Sequence, residues 1–111
     1  MAATKNPTAN GFQPWETAQD AAVAKFVEFA KGWSTTGLSV REAKARLDEN
    51  RDGEPVMRVQ LLMTDPDGDT WDLDPVIEMK RALRRKATEL DLPFASFTMI
   101  AEREPSAKIF A

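Results

Sequence analysis

The fold of this chain turns on three consecutive pieces: LSVREAKARLDEN (residues 38–50), RDGEP (51–55) and VMRVQLLM (56–63). The third reads as a strand, because Val56, Val59, Leu61 and Met63 are apolar, Arg58 and Gln60 fall between them, and nothing in it breaks an extended backbone. A strand needs a partner, and the turn-forming residues 51–55 point back to the first piece. That piece has two readings. Ser39 with Glu42 forms a capping box, and Val40, Ala43 and Leu47 line one face of a helix. Alternatively, the piece pairs with 56–63 as a hairpin. A three-residue loop centred on Gly53 sets Leu47 opposite Val59, Ala45 opposite Leu61 and Ala43 opposite Met63. The same register sets Asp48 opposite Arg58, a pair of opposite charges. A register that gathers the apolar residues on one face and also matches a charge pair favours the hairpin.

Outward from the hairpin, both flanks read as helices. From Pro14 to Lys31, the residues Ala22, Val23, Phe26, Val27, Phe29 and Ala30, with Trp33 beyond, fall on one broad face at helical spacing. Pro14 suits a first turn, Thr17 with Asp20 offers a second start, and Gly32 is a natural stop. On the other side, Asp74 before Pro75 reads as an N-cap, with Asp72 as the alternative. Val76, Met79, Leu83, Ala87 and Leu90 make the inner face of that helix, which Asp91-Leu92-Pro93 ends. Phe94 to Glu102 is a last strand with Phe97, Met99 and Ala101 toward the core.

The order is therefore α-β-β-α-β. It predicts an α+β fold of two layers, a three-stranded mixed sheet with two helices on one face. The last strand returns by a right-handed crossover, parallel to the second hairpin strand, with room to lie antiparallel beside the first. A flexible lead of 1–13, a single domain over 14–102 and a tail of 103–111 with an apolar tip at Ile109 and Phe110 complete the organisation. The open sheet face is expected to carry Lys44, Arg46, Arg58, Gln60, Ser96 and Thr98, together with the apolar Leu62 and Ile100. This order of elements resembles that of type II KH domains, which implies a related layering; the GxxG loop that clamps RNA in those domains is absent here.

Among 111 residues there is no His, no Cys and no Tyr. That removes the usual acid–base group near neutral pH, the soft metal ligands, the thiol nucleophile and the phenol. Ser34, Thr35, Thr36 and Ser39 have no imidazole to activate them, and there is neither a GxSxG elbow nor a glycine-rich phosphate loop. No catalytic residue and no cofactor is expected. The net charge of −3 argues against a dedicated nucleic-acid binder. The absence of Cys suits a reducing compartment, and no apolar run approaches a membrane span, so the expected setting is cytoplasmic.

Three surfaces stand out. Asp65, Asp67, Asp69, Asp72 and Asp74 crowd one loop, and the first three match the start of an EF-hand. The match then fails, since Gly68 comes too early and Val76 stands where the bidentate Glu belongs, so no metal ligand is assigned. Aspartates before a helix also serve its N-terminal dipole. Lys80, Arg81, Arg84, Arg85 and Lys86 form a basic helix face, with Arg81 and Arg85 outermost and Arg84 to one side, next to Ile77. It suits an acidic partner or a phosphate backbone, and equally a solvated helix whose Arg85 pairs with Glu89. Trp71, inside the acidic loop, is either a partner anchor or a staple that folds the loop onto the helix.

These features lead to a non-catalytic protein–protein interaction module, an accessory or regulatory subunit that binds a protein partner or self-associates through its sheet as a homodimer. Its candidate partner-binding residues are Arg81, Arg84, Arg85, Trp71, Leu62 and Ile100. The alternatives are a nucleic-acid-associated protein using the basic helix with Lys44 and Arg46, and a divalent-metal protein using the aspartate loop.

Overall fold

The computed structural model describes residues 14–110, with side chains from Gln19 onward. The N-terminal lead and the Thr17 cap lie outside what it describes. The elements run α1 (Pro14–Ala30), β1 (Ser34–Thr35), β2 (Leu38–Glu49), β3 (Pro55–Met63), α2 (Leu73–Glu89), β4 (Phe94–Ala101) and a short 3-10 helix (Pro105–Phe110).

The chain is α+β with a mixed sheet of four strands in the order β1-β2-β3-β4. The expected three strands become four because Thr36 and Gly37 close a tight turn that lays Ser34 and Thr35 back on Ser39 and Leu38. Gly37 supplies the positive φ of 78° that this turn requires. The hairpin of β2 and β3 forms, but two residues out of the expected register: Leu47 faces Met57, Ala45 faces Val59 and Ala43 faces Leu61. The cause is the loop. Asn50 and Glu54 close a five-residue connection, and the Asn50 side-chain oxygen accepts from the N–H groups of Asp52 and Glu54, both at 2.9 Å. A slip of two leaves every side chain on its expected face, since the strand period is two. A bulge at Arg41 then shifts the parity, so that Leu38 and Val40 before it, and Ala43 after it, all point to the core.

β4 pairs in parallel with β3, not with β2. The expected crossover parallel to the second hairpin strand is what forms, and the room beside the first strand is not used. A central strand is hydrogen-bonded on both sides, and β3, which is held by the hairpin to β2, takes β4 on its other side, whereas the charges of β2 belong at an edge. The core lies on one face: Phe26 and Ala30 of α1 and Met79, Leu83 and Ala87 of α2 join Met57, Val59, Leu61 and Met63 of β3 in one buried cluster. Both helices thus cover the same side of the sheet.

Two ends of α2 differ in chemistry. Its N-cap is Asp72, with no side-chain cap bond, so Asp74 and Pro75 lie inside the first turn, where a missing N–H leaves no helical bond unmade. At its other end Leu92 N–H reaches Ala87 O (2.9 Å) and Asp91 N–H reaches Thr88 O (3.1 Å), a Schellman closure with Asp91 at φ 56°. That turn delivers β4 to its place. Among the described residues no helix is long and apolar enough to cross a membrane.

Candidate functional site

The cations of α2 do not form one face. Arg81 and Arg85 are exposed, and no acidic side chain pairs with either among the described residues. The Lys86 ammonium lies 3.6 Å from Glu89 and 5.3 Å from the Phe29 ring. Glu89 thus pairs with Lys86, not with Arg85. Arg84 is half-buried and sits at the rim of β4: its Nε–H donates a long bond to Ala95 O (3.4 Å), and its guanidinium lies 4.7 Å from the Phe94 ring and 5.2 Å from the Phe97 ring. Cation–π contact of this kind holds the guanidinium in place while leaving further N–H donors free. Along the same flank Ile77 is 41 % exposed and Phe94 64 % exposed, so two large apolar side chains bracket Arg81 and Arg84.

Beside this flank runs the free edge of β4. In a parallel ladder alternate residues turn their N–H and C=O toward the neighbouring strand. Glu102 N–H donates to Met63 O (3.0 Å), so the even-numbered residues of β4 face β3 and Ala95, Phe97, Met99 and Ala101 face outward. Ala101 is satisfied locally, because Glu104 accepts from its N–H through Oε1 (2.8 Å) and donates to its carbonyl (3.0 Å). Phe97 and Met99 find no such partners among the described residues. β4 carries no charged residue and no Pro or Gly, the composition that leaves an edge open to another strand.

On the opposite face of the sheet the expected polar residues assemble. Lys44, Arg46, Arg58, Gln60, Ser96 and Thr98 line a groove of about 310 Å³. Leu62 and Ile100 are cross-strand partners on this face, but Ile100 is only 5 % exposed and Leu62 is half-buried. The C-terminal 3-10 helix packs against β4, Lys44 Nζ donates to Ile109 O, and the ammonium lies 5.5 Å from the Phe110 ring. Lys44 and Arg46 therefore lie on the far side of the sheet from Arg81, Arg84 and Arg85. The sheet separates the two cation sets that a single nucleic-acid surface requires together.

Trp71 belongs to neither surface. It is half-buried against the core, and its Nε1–H donates to Thr64 O (2.8 Å), which ties the loop to the end of β3. The aspartate loop is tied down as well: Asp65 Oδ1 accepts from Arg103 N–H (2.8 Å), and Arg103 Nη2 donates to Gly68 O (2.9 Å). Among the described residues no group of three or more acidic side chains is placed to hold a metal ion.

The residues that sequence reasoning missed are Phe94 and Phe97, whose contact with Arg84 joins the helix flank to the strand edge. One signal was present: Ile77 and Arg84 lie seven positions apart, two turns on the same side of α2. No family model, no curated protein and no solved structure matches this chain. The reading of its function therefore rests on its own geometry.

Proposed function

We propose that this protein is a non-catalytic interaction module, an accessory or regulatory subunit, which takes an extended acidic segment of a partner protein onto the free edge of β4. The observation that carries this reading is the uncharged edge itself, with the outward N–H and C=O groups of Phe97 and Met99 on the strand that Arg84 touches, and Arg81 three residues before Arg84 on the same flank of α2. Main-chain pairing supplies affinity in such strand addition, and side chains beside the edge supply selection. Here the selecting groups are guanidiniums and exposed apolar side chains, a combination common at interface hot spots.

Charge favours an acidic partner over a second copy of this chain. Two β4 edges paired across a two-fold axis bring Arg81 and Arg84 of both copies to the same seam, and like charges facing each other oppose association. The test is a peptide of about ten residues alternating Glu and Val, titrated into the full chain while amide exchange is followed. The expected result is protection of Phe97 and Met99 that weakens in salt and in Arg81→Glu. Protection of the same amides without peptide, rising with protein concentration, transfers the edge to self-association. No protection at β4 overturns strand addition altogether.

A further inference from the structure

The open sheet face, separate from the β4 edge, breaks a rule of sheet stability. Arg46 on β2 and Arg58 on β3 are direct cross-strand partners. Like charges directly opposite one another destabilise a sheet. One carboxylate lies between them, Asp48, whose Oδ2 is 2.8 Å from Arg58 Nε and 3.7 Å from Arg46 Nη2. The hydrogen bond from Arg58, helped by the Glu49 N–H and the charge of Arg46, holds the Asp48 carboxyl below its ordinary value. A single anion thus serves two guanidiniums, and Lys44 stands two residues away on the same face. Positions that violate a local rule without structural gain are where function is expected.

The register gives the site its form. Arg46, Arg58 and Ser96 make one row across three strands, and Lys44, Gln60 and Thr98 make the next. Neighbouring strands lie about 4.8 Å apart and same-face residues along a strand about 6.7 Å apart, so the grid measures about 10 by 7 Å. Every side chain in it donates hydrogen bonds, and only Gln60 and the two hydroxyls also accept. Such a surface, on rigid strands, matches a phosphate group with hydroxyls beside it.

We infer that this grid binds a small phosphate ester, the phosphate on Arg46 and Arg58 and the hydroxyls of the ester against Ser96, Thr98 and Gln60. The groove is bounded. Lys44 is tied to Ile109 and Phe110 of the C-terminal helix at one end, and the Asp48 carboxylate repels a continuing polyanion at the other. These limits favour a single phosphate ester over a nucleic-acid strand.

The test is an amide NMR titration of the full chain at low salt with inorganic phosphate, ribose 5-phosphate, ribose and a single-stranded oligonucleotide. Ribose 5-phosphate is expected to shift Arg46, Arg58, Ser96 and Thr98 and to bind more tightly than inorganic phosphate, with ribose silent. Arg46→Gln with Arg58→Gln should weaken it about tenfold or more. Asp48→Asn, which keeps the acceptor for Glu49 N–H and removes the competing charge, should strengthen it about threefold. Ser96→Ala with Thr98→Ala should erase the advantage of the ester over phosphate while the amide spectrum stays folded. Shifts confined to α2, no shift at all, or tight oligonucleotide binding with a steep salt dependence would each overturn the inference.

Discussion

The two long edges of this sheet were built to opposite rules. Among the described residues the outer side of β2 is paired over Leu38–Val40, by the two-residue β1 and by Gly32 and Trp33 just before it. The rest of it is interrupted by a bulge at Arg41 and carries Arg41, Glu42, Lys44, Arg46, Asp48 and Glu49. Charges and bulges are the standard means of keeping an edge from pairing with another chain. β4, FASFTMIA, has none of these devices along its length. Among the described residues it is closed at its ends, by Arg84 on Ala95 O and by Glu104 on Ala101. A protein that guards one edge so heavily and leaves the other uncharged is expected to use the second.

The sharpest way to break this comparison is proline. Thr98 turns its N–H toward β3, so Thr98→Pro should cost about 3 kcal/mol or more and unfold much of the chain in thermal denaturation. Met99 turns its N–H outward, so Met99→Pro should cost only the packing of a half-buried side chain, about 1–2 kcal/mol, while abolishing binding of the acidic peptide. Equal losses at the two positions would show that the outward orientation is misassigned. The converse experiment removes the guard: Glu42→Val with Arg46→Val should make the chain associate with rising concentration in sedimentation velocity, where the parent stays unchanged. A smaller effect is expected at the turn that feeds β4. Asp91→Gly relieves a non-glycine residue at φ 56° and should stabilise by about 0.5 kcal/mol in urea denaturation. The smallest concerns the guarded edge in acid. The Asp48 carboxyl is held below 3.8, chiefly by its hydrogen bond from Arg58. Its contribution is therefore fully present above that pH and is lost as the pH falls through its lowered folded value. Asp48→Asn should flatten the urea midpoint over that acid range and leave its slope near neutrality alone.

Much of the fold was legible because it depends on period alone. The alternation in 56–63, the helical spacing of Met79, Leu83 and Ala87, and the outward set Lys44, Arg46, Arg58, Gln60, Ser96 and Thr98 are consequences of a strand period of two and a helix period of 3.6. The faces survived a two-residue error in hairpin register for the same reason. The register itself was set by the Asn50 side chain bridging Asp52 and Glu54, a loop contact that no strand pattern encodes. The Asp48–Arg58 pair that suggested the wrong register forms anyway, as a diagonal contact at 2.8 Å.

The sequence by itself determined which residues share a face and which chemistry is missing from the chain. Only the tertiary structure decided what those faces meet. It placed β4 beside β3, turned the Arg84 side chain from the exposed cations of α2 onto Phe94 and Phe97, and set Arg46 directly against Arg58. It also put the cations of the sheet and those of α2 on opposite sides. Periodicity is local and survives any packing arrangement, whereas an edge, a groove or a cation stacked on a ring exists only between segments far apart in the chain.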